Sequence, residues 1–195
     1  ALVTELGGWR RHLVQDRAGL EERFRADKSG LEGDRFIAIH NPPLRLVIIG
    51  AVHIAQALVP MARLAGFDVT LCDPRDAFAA AARFPDLDVI TDWPDQVVAR
   101  AGLDARAALV TLAHDPKLDD PALGAAFATP AFYIGCLGSR RTHAKRLARL
   151  SEAGISAADL ARLHGPAGLD IGAQSPAEIA VSVLAQMIGV LRQRG

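Results

Sequence analysis

Gly50 is the first residue whose type and position point to ligand chemistry. It ends the apolar run 46–49 and opens a helical pattern, so the dinucleotide-binding spacing G-x-G-x-x-G/A falls on Gly50, Val52 and Ala55. The second glycine of that motif lets the backbone approach a pyrophosphate closely. Val52 places a β-branched side chain there, which resists positive φ and fills the space. The spacing therefore predicts a tight strand–helix turn whose pyrophosphate binding is weakened, and Val52→Gly is expected to strengthen it.

Asp73 and Arg75 follow the next apolar run along the chain. In dinucleotide sites, an acid about 20 residues beyond the glycines binds a ribose hydroxyl, and a nearby arginine can bind a phosphate. Asp and Pro are also common in turns for local hydrogen-bonding reasons, so the segment CDPRD at 72–76 fits a simple turn equally well. Both interpretations stay open.

His114 and Asp115 follow a later apolar run, where either side chain could bind a ligand or transfer a proton. Adjacent residues at the end of a strand point in opposite directions, so we do not predict a catalytic dyad. Cys72 and Cys136 are predicted to be buried and to behave as small apolar residues. No His or Cys stands at metal-ligand spacing, and we predict neither a metal site nor a catalytic residue.

The segment GCLGSRRTHAKR at 135–146 is the most informative one. A strand ends near Gly138, and Ser139 has the side chain of a helix N-cap. Arg140 and Arg141 then fall in the first helical turn, where the helix dipole disfavours cations by a few tenths of a kcal/mol. An anion held by the guanidinium groups and the free N–H groups would explain them. The alternative is a solvated basic face that continues through Lys145.

These residues require a framework of alternating strands and helices. Strands are predicted at 44–50, 68–73, 87–91, 107–114 and 131–138. Helices are predicted at 54–67, 77–84, 94–102 and 119–128, followed by 139–154, 156–165 and 175–194. This alternation predicts an α/β fold with a doubly wound, mostly parallel sheet and a C-terminal helical extension.

The two ends of the chain carry separate signals. Residues 1–40 are predicted to form one or two short helices and a strand at 34–40, as the end of another domain, before a ligand-binding domain at 41–195.

Ser175, Pro176 and Glu178 form the pattern of a capping box at the start of the last helix. That helix has an apolar stripe, most of it predicted core, whose exposed flank could support a homodimer. The stripe consists of Ile179, Val183, Met187, Ile188 and Leu191.

Composition narrows the classes of partner. The 195 residues contain 22 Lys plus Arg and 22 Asp plus Glu, so no charge excess favours nucleic acid or an anionic membrane. Hydrophobic residues make up 50%, yet no apolar run approaches the length of a membrane span. The first residues lack the apolar core of a signal peptide, and two cysteines do not form a disulfide framework. A cytoplasmic protein is therefore expected.

Five segments together resemble a known family. They are NPPLRLVIIGAVHIAQAL, DVTLCDPR, LAHDPKLDD, YIGCLGSRRTHAKR and GPAGLDIGAQSPAEIAVS, in this order. The chain is similar in them to the Rossmann-like C-terminal domain of the xanthine dehydrogenase accessory factor family (XdhC/CoxI type). The resemblance implies an accessory factor, not an enzyme, that binds molybdenum cofactor. It further implies that such a factor assists cofactor sulfuration with a cysteine desulfurase and inserts the cofactor into a xanthine dehydrogenase-like molybdenum hydroxylase.

The residue patterns and the resemblance together give one set of candidate cofactor-binding residues. They are Gly50, Ala51, Val52, His53, Asp73, Arg75, His114, Asp115, Gly138, Ser139, Arg140 and Arg141.

Three differences from the family pattern matter. The family loop reads G-A-G-H, and Gly50, Ala51 and His53 match it whereas Val52 does not. The family more often has alanine at the position of Cys136. Its N-terminal domain carries a Cys-Gly-Gly segment, and residues 1–40 resemble only the end of that domain.

The alternative function is an NAD(P)-dependent oxidoreductase or a nucleotide-sensing regulatory module on the same sheet.

Overall fold

The structure is a computed structural model that describes residues 1–16 and 18–193. The described residues form two compact units, one made of residues 1–16, 18–43 and 191–193, the other of residues 44–190. The strands of the first unit are β1 (Leu2–Glu5), β2 (Arg10–Leu13), β3 (Gly30–Glu32) and β4 (Arg35–Ala38). They form an antiparallel sheet in the order β2-β1-β4-β3, and helix α1 (Glu21–Ala26) lies between β2 and β3 in sequence.

The secondary structure expected for residues 1–40 was only partly right: α1 is a short helix and β4 lies within the predicted strand at 34–40, but the strands β1, β2 and β3 were not predicted. Each of these strands has three or four residues, and β2 exposes every side chain, so no alternating apolar pattern marks it. The pairing of Val3 with Ile37, both buried, joins positions distant in sequence. Tertiary pairing of this kind overrides local preference.

The second unit confirms the predicted fold class. Its strands are β5 (Leu44–Ile49), β6 (Phe67–Cys72), β7 (Val89–Ile90), β8 (Ala107–Thr111), β9 (Tyr133–Cys136) and β10 (Leu163–His164). All pair in parallel, in the order β10-β9-β8-β5-β6-β7. The buried runs in β5 and β8 fit strands that are covered on both faces.

Six helices of the described chain accompany this sheet. They are α2 (His53–Leu64), α3 (Pro94–Ala101), α4 (Pro116–Phe127), α5 (Arg140–Glu152), α6 (Ala157–Leu160) and α7 (Pro176–Gln193). Side chains of α3, α4 and α5 pack with Ile49, Leu109 and Ile134 in one core cluster. Tyr133 precedes Ile134 and points to the opposite face of β9, where its hydroxyl donates to Gln186 of α7. Within residues 1–16 and 18–193, no helix combines the length and the apolar character needed to cross a membrane.

Three predicted elements differ from the observed ones. The expected helix at 77–84 is only a 3₁₀ turn, Ala81–Arg83, because a segment this short has little helical stability of its own. The expected helix at 156–165 stops after α6, and the residues beyond it add β10 to the sheet beside β9. Strand β8 ends at Thr111, three residues before the predicted end. The capping box of α7 is confirmed, since Glu178 N–H donates to Ser175 Oγ and Ser175 N–H donates to Glu178 Oε2.

The strand order places a crevice at the carboxyl ends of the strands, which we call the carboxyl edge of the sheet. From β5 the chain proceeds outward through β6 to β7, then returns to β8 on the other side of β5 and continues to β10. Ligands of doubly wound sheets bind beyond the carboxyl ends of the strands at such a reversal. The loops that follow β5, β6, β8 and β9 lie at this edge, and together with the first turns of the helices after them they contain the predicted site residues.

Candidate functional site

Gly50 is required by the packing of two neighbouring loops. Its φ is +107°, which favours glycine, and a Cβ at this position would lie 2.7 Å from the backbone nitrogen of Ala113. Its N–H donates to Cys72 O at 2.7 Å. The tight turn predicted from the sequence is therefore present, and close approach between the loops after β5 and β8 accounts for its glycine.

Both backbone polar groups of Ala51 are already used within the fold. Its N–H donates to Asp73 Oδ2 at 2.9 Å, and its carbonyl oxygen accepts from Arg83 Nη1 at 2.7 Å. Val52 is half-buried and is the N-cap of α2, where its side chain forms no capping hydrogen bond, and His53 is exposed at the first helical position. The start of α2 therefore retains free backbone donors, but the N–H of Ala51 is not one of them.

Asp73 and Arg75 form a bidentate ion pair. Arg75 Nε donates to Asp73 Oδ1 and Arg75 Nη2 to Oδ2, both at 2.8 Å, and the Asp73 side chain is fully buried. Burial alone would raise the pKa of Asp73, but the hydrogen bonds from Arg75 and Ala51 outweigh it and hold the pKa below its ordinary value. The guanidinium of Arg75 also stacks 4.1 Å from the ring centre of Phe78. Both carboxylate oxygens therefore accept hydrogen bonds within the fold, at the position where a ribose would bind.

His114 and Asp115 have separate roles. The Asp115 carboxylate caps α4 by accepting from Lys117 N–H at 2.9 Å. His114 lies in an exposed turn with φ of +59°, a conformation that costs a non-glycine residue about 1–2 kcal/mol. Partial burial of its ring and the positive charge of Arg146 hold the pKa of His114 below its usual range. The two residues form no dyad with each other in the described structure.

The start of α5 matches the sequence prediction. Ser139 is its N-cap and accepts from Thr142 N–H at 3.1 Å. Arg140 and Arg141 occupy the first turn and are exposed. Arg140 lies 3.4 Å from Asp170, with both side chains more than four-fifths exposed at 89% and 86%. This ion pair is weak, because water screens both charges.

A buried cluster of polar side chains, which was not predicted from the sequence, lies beneath the carboxyl edge of the sheet. Asp119 of α4 and Arg146 of α5 are each 2% exposed, with their nearest charged atoms 3.8 Å apart. Arg146 Nη2 donates to Leu137 O at 3.1 Å. Cys136 Sγ lies 4.0 Å from Asp119 Oδ2 and accepts a hydrogen bond from the Thr111 hydroxyl.

The environment of this cluster disfavours the charged forms of Asp119 and Cys136. Burial raises the pKa of Asp119 from 3.8 to about 6, even though Arg146 opposes the shift. Burial and the neighbouring Asp119 raise the pKa of Cys136 to about 12, so this thiol stays protonated and unreactive. One signal could have revealed the pair: Arg146 precedes the buried Leu150 by four residues, so a charge falls on the inward face of α5.

A cavity of about 410 Å³ opens beside the start of α5. It is lined by Leu137, Gly138 and Arg140, by the loop 166–173, and by Ile179 and Ser182 of α7. We call it the α5 cavity. The amide oxygen of Gln186 fixes the loop, because it accepts from both Gly168 N–H at 2.9 Å and the Tyr133 hydroxyl at 2.6 Å.

A larger groove of about 530 Å³ lies between α2 and residues 83–87. Its arginines are used inside the fold, since Arg63 donates to Asp86 O and Arg83 donates to Phe78 O. The groove is mainly apolar, and it lies away from the loops after β8 and β9. We therefore place the candidate ligand site at the carboxyl edge of the sheet and not in this groove. Among the described residues, no group of three or more His, Cys, Asp or Glu side chains is arranged to hold a metal ion.

Comparison with known families agrees with this geometry. The family described as the XdhC Rossmann domain matches residues 46–187, which include every loop at the carboxyl edge from β5 to α7. This chain belongs to the XdhC family.

Relatives of this XdhC domain are longer proteins. YqeB of Escherichia coli (strain K12) is 36% identical over 155 residues, which cover 80% of this chain and 29% of that protein. A probable xanthine dehydrogenase subunit of Bacillus subtilis (strain 168) is 35% identical, covering 78% and 44%. The molybdenum cofactor insertion chaperone PaoD of Escherichia coli (strain K12) is 32% identical, covering 76% and 41%. The chain thus spans less than half the length of these curated relatives.

A solved structure also resembles the XdhC domain. It is described as a xanthine dehydrogenase from Bacillus halodurans and aligns with a TM-score of 0.75 at 26% identity. The alignment covers 100% of this chain and 60% of that one.

Proposed function

We propose that this chain is the ligand-binding part of a maturation factor that carries molybdenum cofactor to a molybdenum hydroxylase. The observation that carries the proposal is the 32% identity to a molybdenum cofactor insertion chaperone across the domain that holds the crevice. The similarity to a probable subunit of xanthine dehydrogenase further supports a client of that class. In this proposal the cofactor is cargo, and the chain acts as a carrier instead of an enzyme.

The cargo would bind through its phosphate at the start of α5. Molybdopterin ends in a phosphate, or in a nucleotide diphosphate in its dinucleotide form. The free N–H groups of α5 and the guanidinium groups of Arg140 and Arg141 can meet that charge. The α5 cavity, of about 410 Å³, lies directly beside them. His114 and the loop 50–53 would border the rest of the ligand along the same edge.

The arrangement of Asp73 counts against an NAD(P)-dependent oxidoreductase. The carboxylate that would bind the ribose is already bound by Arg75 and Ala51, and Val52 stands where the pyrophosphate loop needs glycine. Mass spectrometry of small molecules that copurify with the chain separates the two functions. A pterin supports the carrier, whereas a nicotinamide dinucleotide supports the oxidoreductase.

Molybdopterin titration of three arginine and lysine variants tests the binding site. A charge-assisted contact contributes about 1.5–3 kcal/mol, so Arg140→Ala or Arg141→Ala should weaken binding roughly tenfold or more. Lys145→Ala removes an exposed charge further along the same helix and is the matched control. Equal small losses in all three variants, at matched salt, would show a general basic face and would contradict the assignment.

The proposed partners are a cytoplasmic cysteine desulfurase and the client hydroxylase. In this scheme the desulfurase supplies sulfur to the bound cofactor, and the hydroxylase receives the cofactor afterwards. Incubation of the cofactor-loaded chain with each partner, followed by size-exclusion chromatography and pterin fluorescence, tests both steps. Cofactor that stays with the chain in the presence of apo-hydroxylase would contradict the transfer.

A further inference from the structure

Arg146 is a buried guanidinium with unused hydrogen-bonding capacity. Its side chain is 2% exposed, and neither Nε nor Nη1 has a hydrogen-bond partner among the described residues. Its Nη2 donates to Leu137 O, but Asp119 Oδ2 lies 3.8 Å away, too far for a hydrogen bond. Buried donors without partners destabilise a folded protein. This arrangement is therefore unfavourable as a purely structural feature, and an anion would complete it.

Gly138 leaves a gap between this guanidinium and the α5 cavity. A Cβ at Gly138 would lie 3.7 Å from Arg146 Nη2 and 3.4 Å from Thr142 Cβ, so the place of the missing atom is close to both. Gly138 itself lines the cavity. Because Gly138 has no Cβ, a ligand in the cavity can approach Nη2 more closely than any other residue type at this position would allow.

Asp119 lies beside Arg146 but does not hydrogen-bond to it, since their nearest charged atoms are 3.8 Å apart. Besides burial, the positive charge of Arg146 lowers the pKa of both His114 and His143. These two side chains lie on different elements, one after β8 and one on α5. The positive field of Arg146 therefore reaches both sides of the crevice.

We propose that Gly138 and Arg146 form an oxyanion subsite of the α5 cavity, in which the absence of a Cβ at Gly138 lets a phosphate oxygen approach the guanidinium and accept a hydrogen bond from it. The ligand class is a phosphate monoester or diphosphate, because its several charged oxygens can meet Arg146 and the N–H groups of α5 together. The subsite deepens the proposed function and rests on it only for the location of the ligand. It adds a buried arginine to the exposed Arg140 and Arg141.

Inorganic pyrophosphate and inorganic phosphate are the probes for this subsite. Isothermal titration of the full chain at fixed pH and ionic strength compares the wild type with Gly138→Ala, which fills the gap, and Arg146→Lys, which keeps the charge but loses the planar fork. Both variants should bind at least about tenfold more weakly. Lys145→Ala, the matched control next to Arg146 in sequence, should change the affinity less than about threefold. Thermal melts of each variant confirm that it is folded.

A measurement on the unmodified chain covers the case in which neither variant folds. In the ¹H–¹⁵N spectrum of the arginine side chains, phosphate should shift the Nε–H resonance of Arg146 saturably. No saturable shift of this resonance overturns the subsite.

The outcomes separate this inference from the proposed function. Molybdopterin binding that is the same in wild type, Gly138→Ala and Arg146→Lys overturns the subsite and leaves the carrier function standing. Pyrophosphate binding that depends on both residues, without any binding of molybdopterin, supports the subsite and contradicts the carrier function. Loss of pyrophosphate affinity to the same degree in Lys145→Ala overturns the subsite, because it would show unspecific attraction to the helix.

Discussion

Replacing Asp119 by asparagine should change how the stability of the protein depends on pH. Burial raises the pKa of Asp119 from 3.8 to about 6 in the folded chain. The folded state therefore binds this proton more tightly than the unfolded state. The resulting stabilisation is complete below pH 3.8 and is lost as the pH rises to about 6. Above that pH, the folded protein holds a buried carboxylate that it disfavours.

The size of this effect follows from the displacement of the pKa. At 1.36 kcal/mol per unit, a shift from 3.8 to about 6 corresponds to about 3 kcal/mol of unfolding free energy. Asparagine keeps the shape but cannot ionise, so Asp119→Asn should gain about 3 kcal/mol relative to wild type between about pH 3.5 and pH 7. The pKa values of His114 and His143 are lowered, which makes stability rise with pH over an overlapping range. Subtracting the wild-type unfolding free energy from that of Asp119→Asn at each pH cancels most of the contribution of these two histidines.

Urea unfolding at constant ionic strength, repeated at half-unit steps from about pH 3.5 to 7.5, measures this difference. Asp95→Asn changes an exposed carboxylate on α3 and should give a curve nearly parallel to wild type. If the curves of wild type and Asp119→Asn are also parallel across this range, the carboxyl is not a disfavoured buried charge, and the electrostatic description of the cluster is wrong.

Three further outcomes follow from the same structure. Gly50→Ala should lower the unfolding free energy by at least about 2 kcal/mol, because its Cβ meets the Ala113 backbone. The control Gly124→Ala, in open space on α4, should be neutral or stabilising. Chemical denaturation measures both variants, and equal effects would contradict the packing argument. Val52→Gly should bring no measurable NAD binding in calorimetry, contrary to the expectation from sequence, because Asp73 remains occupied; clear binding would restore the dinucleotide site. Val181→Glu should abolish a homodimer built on the exposed flank of α7, and light scattering that shows the same mass for both proteins would remove that dimer.

The sequence was sufficient for most of the second unit because its longer elements carry strong local signals. The apolar runs of β5 and β8 are buried on both faces, and such runs can be recognised without knowledge of their partners. The caps at Ser139 and Ser175 also follow local rules, and both are present. The short strands of residues 1–43 lack such signals, and the pairing of β1 with β4 joins segments that are distant in sequence.

The sequence predicted the positions of the candidate site residues but not the contacts between them. The positions of Asp73 and Arg75 at the end of β6 were evident, yet only the folded structure shows that each binds the other. Arg140 and Arg141 attracted attention because they stand in the first turn of a helix. Arg146 has the same side chain one to two turns later, and only tertiary packing buries it against Asp119. The spacing of Arg146 and Leu150 places the charge on the inward face of α5, but its burial depends on the neighbouring helix α4.

The shared acceptor on Gln186 has a consequence for synthesis of the chain. Gln186 Oε1 joins Tyr133 of the sheet to Gly168 of the loop that walls the α5 cavity. The loop leaves the ribosome before Gln186 does, because translation proceeds from the N-terminus, so this attachment forms only after α7 has been made, whereas Ala167 N–H can already donate to Cys136 O of the sheet. The wall of the α5 cavity is therefore complete only after α7 has docked.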